Sequence, residues 1–288
     1  MIQNFLRASA VSLLLSVSVN AFPILSKNNS TSVRRLTAMS QGAVDNYNFE
    51  GIVALSNCSG SLIQLAGASD ADHALVLTNG HCLETGFSKP GQFVFGQASH
   101  RTFSILDKNA RSLGTVTATE VVYSTMTNTD ITIYKLKETY SQIISQFGIR
   151  PLALATTHPQ TNTPMEIISG YWRRGYTCQM EAFIPELQEA GWSFKDSIRY
   201  SRPGCETIGG TSGSPILEAG TRTVIGINNT GNEDGQRCTM NNPCEVDSNG
   251  NVTFTKGMSY GQQTYWIYSC LNSSRELDLN VPGCLLPH

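Results

Sequence analysis

The sequence predicts an all-β protein, and three observations lead to that prediction. Only 15% of the 288 residues are charged and 40% are apolar, a balance typical of an ordinary globular chain. Glycine, serine and threonine are frequent, which fits a secreted β-structure better than a helical bundle. Most apolar runs are short, rich in β-branched and aromatic residues, and bounded by Gly, Asn, Ser or Pro. A chain of this length can form one large domain or two half-barrels that share a cleft.

Residues 1–21 have the pattern of a signal peptide. Arg7 supplies the positive charge, residues 8–17 form the apolar core, and Val-Asn-Ala at 19–21 is a small-residue cleavage site. The core is too short to cross a membrane as a helix, and no later stretch is long or apolar enough. The alternative is a buried N-terminal helix. A signal peptide predicts a secreted protein, either extracellular or periplasmic.

Residues 22–35 separate the signal peptide from the rest of the chain. They are polar and end in Val-Arg-Arg at 33–35. They form either a flexible leader or the propeptide of a zymogen that is cut after Arg35. The second alternative starts the mature chain at Leu36 and leaves residues 36–288 as the functional domain.

The first half of that domain, about residues 48–136, contains six predicted strands. They lie at residues 51–55, 61–65, 74–78, 92–95, 115–123 and 130–136. Six such strands suit a closed antiparallel barrel. Residues 137–163 are predicted to be a connector to the second half, with residues 148–154 as its extended part.

The second half, about residues 164–263, has a similar pattern. Its predicted strands lie at residues 165–171, 177–184, 197–201, 215–217, 223–228 and 257–262. Residues 185–195 are mixed in character and fit either a helical turn or a loop. Residues 232–256, rich in Asn, Asp and Gly, are predicted to be a surface loop pinned by a disulfide. Apolar residues at helical spacing predict a closing helix at 264–271, within a disulfide-bonded tail at 264–288.

Eight cysteines, an even number, predict disulfides formed in an oxidising compartment. The sequence does not fix their connectivity. Proximity along the chain suggests three of the pairs: Cys178–Cys205, Cys238–Cys244 and Cys270–Cys284. No Cys-x-x-Cys motif or paired histidine spacing occurs, so neither a metal nor another cofactor is expected.

The charge balance argues against nucleic acid as a partner. The formal net charge is −2 for the whole chain. Residues 1–35 hold four basic and no acidic residues, so their removal leaves 16 basic against 22 acidic residues. A chain this acidic, with no basic cluster, is a poor binder of nucleic acid.

Three stretches contain residue types suited to acyl transfer. LTNGHC ends an apolar run with His81, TDITIYKL opens a strand with Asp130, and GGTSGSPI holds Ser212 in a glycine turn. Each has an ordinary structural interpretation by itself: a core histidine, a turn-capping aspartate and a Gly/Ser loop. Together they fit a serine nucleophile, a histidine base and an aspartate that orients the base.

These three motifs, with the segment CSGSLI that begins at Cys58, resemble those of the chymotrypsin/trypsin family of serine proteases. The resemblance runs from about Ile52 to about Gln263. It implies two antiparallel six-stranded β-barrels of the chymotrypsin type, and a disulfide between Cys58 and Cys82. It also implies a secreted serine endopeptidase that acts on protein or peptide substrates through an acyl-enzyme. We expect a monomer with no nucleic-acid or membrane partner.

The resemblance implies roles around the predicted nucleophile. The backbone N–H groups of Gly210 and Ser212 would form the oxyanion hole. Ser214 competes with Ser212 as nucleophile on the sequence alone, and the family's motif favours Ser212. Thr211 stands where animal digestive relatives have an aspartate that pairs with the freed N-terminus. Activation by that ion pair is therefore excluded, and in this respect the chain is similar to bacterial glutamyl-endopeptidase-type relatives.

Substrate specificity is predicted from two segments. Glu206, six residues before Ser212, lies where trypsin-like relatives carry an acid at the floor of the primary pocket, which selects Arg or Lys at P1. The family's half-cystine is missing nearby, since Ile208 occupies its position and Cys205 precedes Glu206. Glu206 therefore lies either at the pocket floor or on the surface.

The far wall of the pocket is predicted to be Asn228, Asn229, Thr230 and Gly231. Glutamyl-specific relatives have a histidine where Asn228 stands, so cleavage after acidic residues is not expected. Two other functions are alternatives. The first is a catalytically silent, protease-like module that binds proteins. The second is an esterase, which is disfavoured because Ser212 is followed by Pro215 and a β-type run rather than by a helix.

Overall fold

The computed structural model describes residues 47–288. The predicted signal peptide, residues 1–21, and the predicted propeptide, residues 22–35, lie outside the described residues. None of the helices between residues 47 and 288 is long and apolar enough to cross a membrane.

The first half of the described chain forms a closed antiparallel barrel. Its strands are β1 (Ile52–Ala54), β2 (Ser59–Gln64), β3 (His73–Thr78), β4 (Phe93–Ala98), β5 (Thr102–Leu106), β6 (Ser112–Thr125) and β7 (Ile131–Thr139). Six of them pair in the order β1–β5–β6–β7–β3–β2, and β2 pairs back to β1. We call this ring the first barrel.

The first barrel differs from the prediction in one strand. The sequence pattern missed β5, in which Phe103, Ile105 and Leu106 are buried. It counted the β4 segment as a barrel strand, whereas β4 pairs only with β6, outside the ring. The six-strand barrel is therefore confirmed with β5 in the place assigned to β4. The exposed Phe93 and Phe95 of β4 give it the aromatic content of a core strand without the burial.

The connector contains a helix that the sequence pattern missed. Helix α1 (Tyr140–Phe147) begins with a capping box between Thr139 and Gln142 and ends at Gly148 in the left-handed conformation, with φ +71°. Strand β8 (Leu152–Leu154) follows and pairs in parallel with β2. The capping signals were present in the sequence, but the helix is too short for an apolar period to be evident.

The second half forms another ring. Its strands are β9 (Pro164–Ser169), β10 (Arg174–Glu189), β11 (Trp192–Tyr200), β12 (Pro215–Glu218), β13 (Thr223–Gly231), β14 (Cys244–Val246), β15 (Val252–Thr253) and β16 (Ser259–Gln262). Six of them pair in the order β9–β10–β11–β16–β13–β12, and β12 pairs back to β9. We call this ring the second barrel. Strand β8 joins the two, because it also pairs in parallel with β13.

Three segments of the second half differ from their predictions. Residues 185–195, predicted to be a helical turn or a loop, extend β10 and β11 into a long hairpin that turns at Ala190 and Gly191. The predicted surface loop 232–256 contains β14 and β15, with β14 paired to β10. The closing helix is a 3₁₀ helix, Tyr265–Cys270, rather than a longer helix.

Apolar side chains fill each barrel and the space between the two. Phe103 and Tyr134 lie in a cluster inside the first barrel, and Ile198 lies in a cluster inside the second. A third cluster combines side chains of both barrels with Trp266 and Ile267 of the 3₁₀ helix. That helix therefore packs where the barrels meet.

The four disulfides join the pairs that the sequence suggested. They are Cys58–Cys82, Cys178–Cys205, Cys238–Cys244 and Cys270–Cys284. The first of them joins the residue before β2 to the segment that carries His81.

Candidate active site

His81 and Asp130 form a close pair at the edge of the first barrel. His81 lies in a short 3₁₀ helix, Gly80–Cys82, directly after β3, and Asp130 directly precedes β7. His81 Nδ1 is 2.6 Å from Asp130 Oδ2, and the backbone N–H of His81 donates to Asp130 Oδ1 at 2.9 Å. Both carboxylate oxygens are therefore bonded to the same residue, which fixes the position of the imidazole ring.

The backbone around this pair is held by a second set of hydrogen bonds. The buried amide of Asn79 donates to the backbone carbonyl of Asp130 at 2.7 Å, and the Thr132 hydroxyl donates to the carbonyl of Asn79 at 3.0 Å. A side chain at Gly80 would lie 2.0 Å from the carbonyl oxygen of Thr125, so only glycine fits before His81. The turn of residues 79–82 is thus held against β6 by the close approach at Gly80 and against β7 by the Thr132 hydrogen bond.

Charge around the imidazole favours its protonated form. Burial alone would lower the pKa of His81, but the adjacent Asp130 carboxylate and, to a smaller extent, Glu189 raise that pKa above its ordinary value. The His81 side chain is 19% exposed and Asp130 is 1% exposed, so water screens their interaction little. An imidazole in this setting can accept a proton and release it again near neutral pH.

Ser212 lies in the turn that precedes β12 of the second barrel and faces the same cleft as His81 and Asp130. Its hydroxyl donates to the backbone carbonyl of Asn229 at 3.4 Å, and no hydrogen bond joins it to His81 within residues 47–288. Ser214, the competing nucleophile, is fully buried and donates to the carbonyl of Thr211 at 2.6 Å. Ser214 therefore does not face the cleft.

A β-turn of residues 208–211 leads directly into Ser212. The N–H of Thr211 donates to the carbonyl of Ile208 at 3.0 Å, and Gly210 has φ +87°, as the third residue of a type II turn requires. Within residues 47–288, neither the N–H of Gly210 nor that of Ser212 donates a hydrogen bond. Both predicted oxyanion donors are thus unpaired in this conformation.

The first barrel supports this turn from below. The N–H of Ser59 donates to the carbonyl of Ser212 at 2.8 Å, and the Ser59 hydroxyl donates to the carbonyl of Gly210 at 3.4 Å. A side chain at Gly213 would lie 2.2 Å from both the carbonyl oxygen of Ser59 and the hydroxyl of Thr78. The glycine after Ser212 is therefore required by the close approach of the two barrels.

The four residues predicted for the far wall all line the cleft: Asn228, Asn229, Thr230 and Gly231. Asn228 is held in place because its side-chain oxygen accepts a hydrogen bond from the buried hydroxyl of Tyr200 at 3.0 Å. Asn229 is 4% exposed, and its side-chain nitrogen has no hydrogen-bond partner within the described part of the chain.

Glu206 is the predicted site residue that the structure does not bring to the cleft. Its side chain is 47% exposed and lies 3.8 Å from the guanidinium of Arg202. Its carboxylate also accepts a hydrogen bond from the N–H of Gly204 at 3.0 Å. The adjacent Cys205 is tied to Cys178 of β10. Of the two positions open to Glu206, the surface is the observed one.

Two other acids line the cleft, and sequence reasoning missed both. Glu189 ends β10 and is 7% exposed, and Glu233 follows β13. Burial raises the pKa of Glu189, while hydrogen bonds from the Thr230 side chain and the Asn241 N–H, at 2.7 Å, oppose that rise. Neither Thr230 nor Asn241 carries a positive charge that could pair with the Glu189 carboxylate. No sequence signal pointed to Glu189, because its position depends on the length of the β10–β11 hairpin.

Aromatic side chains flank the imidazole. Phe87 packs edge-on against His81, with ring centroids 5.9 Å apart, and Trp192 packs edge-on against Phe87 at the same distance. Phe87 and Trp192 both line the cleft, so one wall beside His81 is apolar. An extended peptide with an apolar side chain would find a partner there.

Cys58, His81 and Cys82 lie close enough together to suggest a metal site. Both sulfur atoms belong to one disulfide, however, so neither is available as a thiolate ligand. The remaining donor, His81, is already bonded to Asp130. This cluster does not have the chemistry of a metal centre.

Residues 58–227 match the family described as the trypsin-like peptidase domain, and this span includes His81, Asp130 and Ser212. No curated protein matches the chain.

Several solved structures are similar to it at low sequence identity. The MamO protease domain from Magnetospirillum magneticum is 11% identical with a TM-score of 0.48, over 80% of this chain and 100% of that chain. The protease Anisep from Arthrobacter nicotinovorans is 13% identical with a TM-score of 0.44, over 76% and 91%. The chymotrypsin of Cellulomonas bogoriensis is 12% identical with a TM-score of 0.40, over 75% and 90%.

Proposed function

Since this chain belongs to the trypsin-like peptidase family, through residues 58–227, we propose that it is a serine endopeptidase. In this proposal Ser212 is the nucleophile, His81 the general base and Asp130 the residue that orients the base. The observation that carries the proposal is the 2.6 Å contact between His81 Nδ1 and Asp130 Oδ2, in a cleft that Ser212 also lines.

The reaction begins with proton transfer. Asp130 accepts the Nδ1–H of His81, which leaves Nε2 as the basic nitrogen. Ser212 Oγ attacks the carbonyl carbon of the scissile peptide and gives its proton to Nε2. The imidazolium then returns the proton to the leaving amine, and the C–N bond breaks to give the acyl-enzyme. Water, activated by the same nitrogen, hydrolyses the ester and frees Ser212.

The negative charge of the tetrahedral intermediate needs donors that are already in place. The N–H groups of Gly210 and Ser212 are suited to this task because both are unpaired and adjacent to the Ser212 hydroxyl. A missing donor of this kind raises the barrier by on the order of 3 kcal/mol.

One movement is required before attack. The Ser212 hydroxyl donates to the carbonyl of Asn229, so it must leave that acceptor and turn toward His81 when substrate arrives. Catalytic hydrogen bonds are often long or misaligned without substrate and tighten only in the Michaelis complex. The rotation moves one hydroxyl and breaks one long hydrogen bond, which is a small cost beside the chemical barrier.

The charge of the cleft supports a preference for cationic substrates. Glu206, on which the predicted selectivity for Arg or Lys at P1 depended, is exposed and faces Arg202. Glu189 and Glu233 line the cleft, and no Lys or Arg does so within the described residues. We therefore assign the preference for Arg or Lys side chains in the bound peptide to these two acids.

Export and activation are also part of the proposal. Residues 1–21 would direct secretion, and cutting after Arg35 would release a mature chain of residues 36–288 that acts as a monomer. The four disulfides between residues 58 and 284 are consistent with an oxidising compartment. Because Thr211 carries no charge, a propeptide would have to act by another route, such as covering the cleft.

The competing function is a catalytically silent, protease-like module that binds proteins. The absence of a Ser212–His81 hydrogen bond within residues 47–288 is the observation in its favour. Labelling with a fluorophosphonate distinguishes the two, because this reagent reacts only with an activated serine. The full chain, before and after cutting at Arg35, is compared with Ser212→Ala and Ser214→Ala.

We expect the mature wild-type chain and Ser214→Ala to be labelled and Ser212→Ala to remain unlabelled and folded. Labelling that survives Ser212→Ala and disappears in Ser214→Ala would identify Ser214 as the nucleophile. A wild-type chain that is correctly folded and unlabelled in both forms would establish the silent module instead.

A further inference from the structure

An exposed tryptophan in the second barrel is bonded to the turn that precedes Ser212. Trp172 lies in the connection between β9 and β10 and is 47% exposed, yet its indole N–H donates to the carbonyl of Gly209 at 2.7 Å. The two residues are 37 positions apart in the chain. A large apolar side chain kept at the surface by a single polar contact calls for a reason beyond core packing.

The orientation of the peptide that Trp172 contacts controls one oxyanion donor. In a trans peptide the C=O and N–H point in opposite directions, so the direction of the Gly209 carbonyl sets that of the Gly210 N–H. A type II turn and a type I turn over residues 208–211 differ by a rotation of this central peptide through about 180°. The observed φ of +87° at Gly210 corresponds to the type II orientation.

We propose that Trp172 is a positioning residue that holds this peptide in the orientation required for catalysis. The inference depends on the proposed peptidase function. With the Gly209 carbonyl bonded to the indole, the Gly210 N–H points to the other side, where it remains unpaired next to the N–H of Ser212. Rotation of the peptide would break the indole bond and turn the donor away from the developing oxyanion.

The turn has no electrostatic anchor of its own. Thr211 is buried and uncharged, and its hydroxyl lies 3.4 Å from that of Tyr176. Within residues 47–288 no ion pair involves residues 207–214. Glycines at 209 and 210 permit either turn type at little steric cost, so an outside contact must select one of them.

The loop that carries Trp172 is itself fastened to buried hydroxyls. The N–H of Tyr171 donates to Ser59 Oγ at 3.1 Å, and the N–H of Trp172 donates to Ser169 Oγ at 3.2 Å. The two hydroxyls lie 3.0 Å from each other. The loop therefore presents the indole from a fixed position.

The rings of Tyr171 and Trp172 also cover Gly210. A side chain at 210 would lie 2.8 Å from the Trp172 indole nitrogen and 2.9 Å from Cδ1 of Tyr171. Glycine is thus needed at 210 for the turn and for the tryptophan to approach it.

The test is Trp172→Phe in the full-length chain, which keeps an aromatic ring and removes the donor. The matched control is Tyr171→Phe, because the Tyr171 hydroxyl has no hydrogen-bond partner in the part of the chain that the structure describes. For each variant we would measure kcat and KM on a peptide amide, the affinity of a peptide aldehyde, the melting temperature and a crystal structure. The aldehyde forms a tetrahedral adduct and so reports on the oxyanion donors.

We expect Trp172→Phe to lower kcat by about 10-fold, within the 10²–10³-fold limit set by losing the donor altogether. The affinity for the peptide aldehyde should fall by a similar factor, while KM stays within about 2-fold of the wild-type value. The control Tyr171→Phe should behave as wild type. The crystal structure of Trp172→Phe should have the Gly209–Gly210 peptide rotated.

Wild-type kcat and aldehyde affinity in Trp172→Phe would overturn the inference. A KM that rises by the same factor by which kcat falls would also overturn the inference, since that result would indicate a role in substrate binding. If the wild-type chain is no peptidase, the crystal structure still decides, because a peptide that keeps its orientation without the indole contradicts the positioning role.

Discussion

The two barrels hold their site residues in different ways. The first barrel fixes His81 and Asp130 through bonds made within itself, from the paired carboxylate contacts to the Asn79 amide. The second barrel presents Ser212 on a glycine turn whose supports include Ser59 of the first barrel.

This difference shows which part of the site depends on assembly of the whole domain. The positions of His81 and Asp130, the proposed base and its orienting acid, are set once the first barrel is folded, since their partners lie beside β3 and β7. The nucleophile turn needs the first barrel beside it, the Tyr171–Trp172 loop above it, and β13 behind it. Changes at the base should therefore alter chemistry alone, and changes at the turn should alter both stability and chemistry.

The largest effect is expected at the base. Asp130→Asn should lower kcat by about 10⁴-fold, because an amide cannot hold the imidazole in the same tautomer or stabilise the imidazolium. KM should change little, and the melting temperature should stay close to that of wild type. Steady-state kinetics on a peptide amide and a thermal melt would measure both.

The matched control is Asp247→Asn. Asp247 is an exposed aspartate whose carboxylate accepts backbone N–H groups of Asn249 and Asn251 in a turn. It should leave kcat unchanged. If Asp130→Asn lowers kcat no more than this control does, Asp130 is only a turn cap. The first barrel would then not hold an acid that orients the base.

The next largest effect is expected where the barrels meet. Gly213→Ala places a methyl group 2.2 Å from two oxygens of the first barrel, at a residue with φ +78°. We expect the free energy of unfolding to fall by roughly 2–4 kcal/mol, and kcat to fall as the turn shifts. Denaturant unfolding and peptide hydrolysis would be followed on the same preparation.

Gly220→Ala separates strain from collision. Gly220 has φ +74°, and a side chain there would meet nothing within 4 Å. It should cost about 1 kcal/mol and leave kcat intact. Similar losses in the two variants would mean that backbone strain explains both, and that close contact between the barrels contributes nothing at Gly213.

A smaller effect is expected on substrate charge. Glu189→Gln should reduce the preference for Arg- and Lys-containing peptides over neutral ones by about 10-fold in kcat/KM, because a charge-assisted contact is lost. Glu233→Gln should act in the same direction. Glu206→Gln, at an exposed site beside Arg202, should have no effect, and a loss of selectivity there alone would return Glu206 to the pocket.

The smallest effect is expected on the pH profile. The neutral imidazole is the base, so activity falls as pH drops through the pKa of His81, which Asp130 and Glu189 raise above its ordinary value of 6.5. The acid limb of kcat/KM should therefore lie above pH 6.5. Glu189→Gln removes a negative charge, which lowers the pKa of His81 and extends activity to lower pH. An acid limb that moves to higher pH in Glu189→Gln would contradict the claim that the negative charge of Glu189 raises the pKa of His81.

Much of the site was visible in the sequence because each motif borders an apolar strand. His81 follows β3, Asp130 precedes β7, and Ser212 lies just before β12. Each motif is ambiguous by itself, and their combination, with the family resemblance it carries, singled out the three segments. For Glu206, counting along the chain left two positions open, the pocket floor and the surface. The count could not choose between them, because it does not show that Arg202 lies beside the carboxylate on the surface.

The length of a strand does not explain which elements were predicted. Strands β1 and β12, with three and four residues, were predicted, whereas β5, with five residues, and helix α1, with eight, were missed. The hairpin formed by β10 and β11 has mixed polarity at residues 185–195, because β10 is covered there by β14 of a distant loop. Strand pairing between segments that are distant in the chain supplies the backbone hydrogen-bond partners here, and a local sequence pattern does not reveal such pairing.

The sequence by itself determined the β-class and located the three segments that carry His81, Asp130 and Ser212, because composition and short motifs are local properties. It suggested the disulfide pairs without fixing them. The tertiary structure alone decided which acids face the cleft, which way the Gly209–Gly210 peptide points, and that Ser59 and Trp172 support the nucleophile turn. These depend on groups from separate strands meeting within 3 Å or so, and contact at that range follows from how two barrels pack rather than from the order of residues in either.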